Sequence, residues 1–161
     1  MIRIGLISDT HGLLRPEALH FLGGCDFIVH AGDITDANIL EKLAELAPVT
    51  AVRGNNDKGA WAESLPETAF LEAGEVLVYV LHDLARLDID PQAAGVNVVV
   101  TGHSHMPLIQ KRESILYINP GSAGPRRFKL PIAVGELLVD GSQVSARIFE
   151  LAPEGTLNIL T

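Results

Sequence analysis

IRIGLISDTHG, residues 2–12, decides how the chain is read. Residues 2–8 form a nearly continuous apolar run, the pattern of a strand covered on both faces. The run stops at Asp9, and His11 and Gly12 follow at once. One arginine and a short apolar run that meets an aspartate describe a buried strand and not a secretory signal.

Strand and helix signals then alternate. RPEALHFLGG (15–24) has proline near its start and a Gly-Gly stop, so it reads as a short helix. DFIVHAG (26–32) is a second strand. TDANILEKLAELAP (35–48) is the clearest helix, capped by Thr35 or Asp36, with Ile39, Leu40, Leu43 and Leu46 on one face before Pro48. VTAVRG (49–54) is a third strand. Two strand–helix–strand crossovers in succession imply a parallel sheet.

Hairpins dominate the remainder. TAFLEAGEVLVYVLH (68–82) reads as two strands around Gly74, LDIDPQAAG (87–95) as a short helix or loop, and VNVVVTG (96–102) as another buried strand. PLIQKRESILYINPG (107–121) turns near Glu113-Ser114. IAVGELLVDGSQVSARIFEL (132–151) carries an Asp-Gly turn between alternating runs, a strong hairpin signal. APEGTLNILT (152–161) is a weakly determined tail. The expected architecture is α/β (α+β): two packed mixed β-sheets flanked by helices, in one domain over 1–161 with no linker dividing it.

The 161 residues suffice for a real hydrophobic core. No stretch reaches the ~18 apolar residues of a membrane span, so no membrane partner is expected. The single cysteine, Cys25, excludes an intrachain disulfide and reads as a core residue, which fits a reducing cytoplasm. A formal net charge of −8 argues against an extended nucleic-acid surface, since phosphate affinity comes from clustered Lys and Arg. Acidity suits a site that gathers divalent cations, although plain solubility is the simpler reading.

Five strand signals end alike: in Asp9-Thr10-His11-Gly12, Gly32-Asp33, Gly54-Asn55-Asn56-Asp57, His82-Asp83 and Gly102-His103-Ser104-His105. In α/β sheets, ligands bind in the crevice beyond the carboxyl ends of strands. Asp, His and Asn are oxygen and nitrogen ligands for divalent metals. Any one such end reads as a turn or cap; five together do not. Asp9, His11, Asp33, Asn55, His82, His103 and His105 make seven candidate ligands. If Asp33 bridges, each of two ions receives four and keeps positions open for water and substrate. The adjacent Gly12, Gly32, Gly54 and Gly102 permit tight turns and close approach, although turns use glycine in any case.

DTHG, GDI, GNND, His82, GHSH and NPGS, in that order, resemble the calcineurin-like metallophosphoesterase superfamily, and within it the small single-domain phosphodiesterase branch. The resemblance runs from residue 1 to about residue 125, and the closing hairpin is consistent with it. It implies a four-layer sandwich with a dinuclear site at the strand ends. Asp9, His11 and His105 would bind one ion, Asn55, His82 and His103 the second, and Asp33 both. The implied activity is hydrolysis of a small phosphodiester by metal-activated water or hydroxide, with Asp33, Asn55 and His103 closest to the chemistry. The ions would be two divalent cations, manganese first, with nickel, zinc, iron or magnesium as alternatives. Many members carry Gly-Asn-His where this chain has Gly54-Asn55-Asn56. Asn56 cannot act as a general acid, so activated diesters should turn over better than alkyl esters. After His82, related chains often continue Gly-His; here Asp83-Leu84 follows.

Other residues carry paired readings. Asp57 orients Asn55 or a ligand histidine, or is a plain turn carboxylate. His30 reads as a hydrogen-bonded core histidine and His20 as a surface one. Asn119 fixes a loop near the site or only makes a turn. Arg126, Arg127 and Lys129 are a solvated patch or attract substrate phosphate. Trp61, in a loop, walls the site or shields an interface. The competing functions are a non-catalytic protein-binding scaffold of the same fold and a phosphomonoesterase; a homo-oligomer is compatible with either.

Overall fold

The computed structural model describes residues 1–152 and 157–160. Eleven strands are named in chain order: β1 (Ile2–Ile7), β2 (Phe27–His30), β3 (Val49–Ala51), β4 (Thr68–Ala73), β5 (Val76–Leu81), β6 (Val98–Val100), β7 (Leu108–Arg112), β8 (Ile115–Asn119), β9 (Ala133–Asp140), β10 (Gln143–Leu151) and β11 (Leu157–Ile159). Three helices, α1 (Pro16–Leu22), α2 (Ala37–Ala44) and α3 (Ala60–Glu63), and one 3-10 turn, Leu84–Arg86, complete them.

The strands form two sheets. The first has the order β11-β10-β9-β1-β2-β3, the second β4-β5-β6-β8-β7. β1 pairs β2 in parallel, and β2 pairs β3 in parallel, as two successive crossovers require. The second sheet mixes a parallel centre, β5-β6-β8, with antiparallel hairpins at both edges.

Period-two alternation assigns each strand residue to a layer. Ile4 and Leu6 of β1 meet Val78, Val80, Val98 and Val100 in the cluster between the sheets. Ile7 and Ile28 face the other way, toward Phe21, Leu22, Ile39 and Leu43 of α1 and α2. On the outer face of the second sheet, Tyr79, Leu81 and Val99 pack under Leu84, Leu87, Ile89 and Val96. Four layers result. Helices cover the first sheet as expected; among the described residues, the second is covered by the 3-10 turn and the turns of 87–95 instead. Asp90 caps a single turn there, accepting the Gln92 and Ala93 N–H groups, and Gly95 with its left-handed φ of 77° ends it before a helix can extend.

Several boundaries differ from the sequence reading. Asp36 caps α2 by accepting the Asn38 N–H at 2.9 Å. The helix ends at Ala44, so Leu46 lies beyond it, 37% exposed, and only Ile39 and Leu43 of the expected stripe are buried. β3 stops at Ala51, leaving Arg53-Gly54 to enter the site loop. Trp61 sits on the short α3 and packs half-buried against the cluster under α1 and α2, so it is a packing residue and not a loop wall. Part of the tail is ordered: β11 adds antiparallel to β10, Leu157 opposite Leu151. The rest of that stretch, 153–156 and 161, lies outside the described residues. No described helix is long and apolar enough to cross a membrane.

Candidate metal centre

The carboxyl ends of β1, β2, β5 and β6 and the loop after β3 converge at one end of the sandwich. Asp9, Asp33, His82 and His105 are buried there, at most 5% exposed. The Asp9 side chain accepts from Ser8 Oγ at 2.6 Å and from the His103 backbone N–H at 3.1 Å, both through Oδ2. Its other oxygen, Oδ1, faces His105 Nε2 at 3.3 Å, His11 Nε2 at 3.8 Å and His82 Nε2 at 3.9 Å. Asp33 Oδ2 lies 3.3 Å from His82 Nε2 and 3.6 Å from His11 Nε2.

The histidines fall into two pairs. His11 and His105 have ring centroids 5.4 Å apart, and His82 and His103 are 5.1 Å apart. Asn55 Oδ1 is shared by the second pair, at 3.1 Å from His82 Nε2 and 3.2 Å from His103 Nδ1. Asp33 Oδ2 lies between one histidine of each pair. Because Ala31 O can only accept, His82 Nδ1 donates to it at 2.7 Å. That turns Nε2 toward the carboxylates, the usual way a second partner orients a ligating imidazole.

These side chains fit a cation. Asp9 Oδ1, His11 Nε2 and His105 Nδ1 are buried yet have no hydrogen-bond partner of acceptable geometry among the described residues, an expensive state unless something else satisfies them. Asp9, His11 and His105 each present a ligand atom within 4.8 Å of the others, as do Asp9, Asp33 and His82. Electrostatics agree. Burial disfavours the charge on Asp9, but the approach of His105 and Ser8, with His82 nearby, holds its carboxyl below the usual range. Burial likewise opposes Asp33, yet His82 and the Asn56 N–H hold it well below the usual range. Burial resists a charged His82, and the two carboxylates and Ala31 O overcome that and raise it.

The backbone is bent into place. Asp9, His11, Asp33, His103 and His105 all have left-handed φ, between 45° and 70°, a conformation uncommon for non-glycine residues that clusters at functional sites. Glycine is needed for close approach at two positions. A Cβ on Gly54 would collide with the Asp33 backbone and carboxylate, and one on Gly102 with Ser8 Oγ and Asp9 Oδ2. Surrounding residues hold the loops. Asp57, 6% exposed, accepts four backbone N–H groups, those of Asp33, Ile34, Thr35 and Gly54, at 2.8–3.0 Å. It therefore orients the Asp33 loop, and its hydrogen bonds go to neither Asn55 nor a histidine. Asn56 donates its backbone N–H and side-chain amide to Asp33, at 2.9 and 3.0 Å. Asn119 Nδ2 donates to Gly102 O and Ser104 Oγ, fixing the His103–His105 loop.

All seven expected residues reach this one region. His103 is the outlier: its side chain is 45% exposed, and its Nε2 lies 3.8 Å from Asp83 Oδ2 instead of facing Asp9 or Asp33. His30 is fully buried and outside the centre: its Nδ1 accepts the Gly32 N–H, and Nε2 donates to Thr10 Oγ1 at 3.0 Å. His20, Arg126, Arg127 and Lys129 are exposed. The residues the sequence reading passed over are Ser8 and Thr10. Both are buried, Ser8 just before the DTHG turn and Thr10 within it, and neither type signals metal chemistry by itself.

The chain belongs to the calcineurin-like phosphoesterase superfamily, whose domain description matches residues 2–141. It is 35% identical over 157 residues to a probable metallophosphoesterase of Methanothermobacter thermautotrophicus, covering 90% of each chain. It is 27% identical over 167 residues to the phosphodiesterase YfcE of Escherichia coli, covering 85% of this chain and 88% of that one. Among solved structures, vacuolar protein sorting 29 from Cryptosporidium parvum superposes with a TM-score of 0.83 at 20% identity, over 98% of this chain and 95% of that one. That last likeness is one of fold.

Proposed function

We propose that the chain is a metal-dependent phosphodiesterase with a dinuclear centre. The observation that carries it is Asp33 Oδ2, set between His11 Nε2 and His82 Nε2 at 3.6 and 3.3 Å. Asp9, His11 and His105 form the ligand set on one side, Asn55, His82 and His103 the set on the other, and Asp33 belongs to both. Two divalent ions so held would polarise a phosphoryl group and lower the pKa of water between them. The chain's own part is to keep two carboxylates ionised, to orient His82 Nε2 toward the site through Ala31 O, and to leave Asn55 and His103 open to solvent where substrate enters. Asn56 is occupied by Asp33 and supplies no acid, so leaving groups that need no proton are favoured. The name of the Escherichia coli relative supports diesters. Hard oxygen ligands beside imidazoles suit manganese, with nickel, zinc, iron and magnesium as competitors.

The scaffold reading draws on the fold likeness to a vacuolar sorting protein. Unpartnered buried ligand atoms weigh against it, because a site kept only for shape gains nothing from them. The test strips metal, returns Mn²⁺, Ni²⁺, Zn²⁺ or Mg²⁺ singly, and assays a nitrophenyl phosphodiester and a nitrophenyl phosphomonoester. Diester hydrolysis that disappears in Asp33→Asn and falls in His103→Ala supports the proposal. Hydrolysis of neither ester with any ion would favour the scaffold.

A further inference from the structure

A cavity of about 660 Å³ opens directly from the solvent side of the centre, with Asn55, His82 and His103 at its inner end. Its volume falls within the range of small-molecule sites, enough for a nucleoside-sized group. Beyond the metal centre its wall carries charged side chains beside Gly54, Thr68 and Leu81.

The four carboxylates of that wall are all engaged. Asp57 is saturated by backbone N–H groups. Glu67 receives Arg53 Nη2 at 3.2 Å. Asp83 caps the 3-10 turn through the Ala85 N–H and has its other oxygen near His103. Asp88 accepts from the Tyr79 hydroxyl at 3.3 Å. Of the three cations, Arg53 is committed to Glu67. The side chains of Lys58 and Arg86, both exposed, have no hydrogen-bond or ion-pair partner among the described residues. They come from different segments, Lys58 just after the Asn55 loop and Arg86 from the turn that follows His82.

We propose that Lys58 and Arg86 bind a second phosphate of the substrate, so that the preferred diester carries an additional phosphate on the arm that enters this cavity. The proposal rests on the phosphodiesterase reading for the bond that is cleaved. A planar guanidinium and a mobile ammonium lining one cavity are both phosphate-binding groups, the first as a bidentate fork and the second as a point charge. In a chain with net charge −8, two uncommitted cations in the cavity that meets the metal centre favour anionic over neutral arms. Divalent ions at the inner end would add to that preference.

Binding is read without turnover. Adenosine 3′,5′-bisphosphate and adenosine 5′-monophosphate are titrated calorimetrically into the Mn²⁺-supplemented wild type, into Lys58→Gln/Arg86→Gln, and into Arg86→Lys. The expected result is at least roughly tenfold tighter binding of the bisphosphate by the wild type. The double variant should bring the two ligands within about twofold, and Arg86→Lys, which keeps the charge and loses the planar fork, should fall between the double variant and the wild type. Equal or absent binding by the wild type, or an undiminished preference in the double variant, overturns the proposal. Failure to hydrolyse any nitrophenyl ester would sink the phosphodiesterase reading alone, since the binding preference is measured independently of it.

Discussion

Asp57 holds Asp33 by the backbone: its Oδ2 accepts the Asp33 N–H at 3.0 Å and the Gly54 N–H at 2.8 Å. One buried carboxylate thereby ties the loop after β2 to the loop after β3. Hydrogen bonds to a charged acceptor are each worth about 1.5–3 kcal/mol and are not additive. Asp57→Ala should cost about 2–4 kcal/mol of unfolding free energy by chemical denaturation. Divalent-ion affinity should fall by roughly 10–100-fold, because Asp33 loses its support. Asp57→Asn, which can accept fewer of these bonds, should fall between wild type and Asp57→Ala in both measurements.

Asp33 Oδ2 lies within 3.6 Å of one histidine of each pair, whereas Asp9 Oδ1 reaches the second pair only at His82, 3.9 Å away. Asp33→Asn should lower diester hydrolysis by roughly 10²–10³-fold, a loss of several kcal/mol of metal-borne stabilisation. Steady-state assay with a nitrophenyl diester checks it. Unchanged activity would remove Asp33 from the bridging position.

Cation binding should stabilise the fold. A ligand that binds only the native state at about 100 times its Kd adds about 2.7 kcal/mol. Mn²⁺ should therefore raise Tm in a thermal scan, and a chelator should reverse it. Asp9→Asn should abolish most of the rise, since Asp9 Oδ1 is the atom that three histidine nitrogens approach.

His30 sets an acid-side stability slope. Burial pushes its pKa from the ordinary 6.5 down to about 3, and accepting the Gly32 N–H keeps it neutral. A folded pKa below the unfolded one means that the unfolded chain binds more protons between about pH 3 and 6.5. Stability is then fully present above 6.5 and declines as pH falls through that window, by up to ~1.4 kcal/mol per pH unit. Asp9 and Asp33, whose pKa values are also lowered, add loss only near and below their ordinary value of 3.8. The contribution of His82, whose pKa is raised, has the opposite sign and is lost only as pH rises above 6.5, so denaturation of the metal-free protein between pH 4.5 and 6 should show the slope in wild type and a flatter profile in His30→Gln.

Gly102 is intolerant of a side chain. Its missing Cβ leaves room for Ser8 Oγ and Asp9 Oδ2. Gly102→Ala should cost about 1–3 kcal/mol, as overpacking of a filled site does, and should weaken ion binding by displacing Asp9. Denaturation and metal titration measure the two effects.

Much of this was legible in the sequence, and for physical reasons. Buried strands announce themselves as apolar runs, so the ends carrying Asp9, Asp33, His82 and His103 could be located before any fold was known. Ligand types at all of those ends then pointed to one crevice. The strain did not show. Nothing in the letters Asp, His or Asp reports a left-handed φ, because that conformation is imposed by tertiary contacts such as those of Asp57 and Asn119. Asp57 itself was visible as a residue but not as a fourfold acceptor, since its partners are backbone groups that every residue possesses. β11 was missed because LNI is too short to show a period, and pairing with β10 supplies the order. The exposed ring of His103 was likewise invisible, because spacing alone does not say which of two histidines in Gly-His-Ser-His turns outward.

The centre also straddles a seam. Asp9 and Asp33 leave the first sheet, His82, His103 and His105 leave the second, and the sheets otherwise meet chiefly through aliphatic packing. A cation gripped from both sides acts as a clasp across that seam. Emptying it should unfasten one end of the sandwich first, so that amide protons at the ends of β1 and β6 exchange faster in concert while those of β9 and β10 keep their protection.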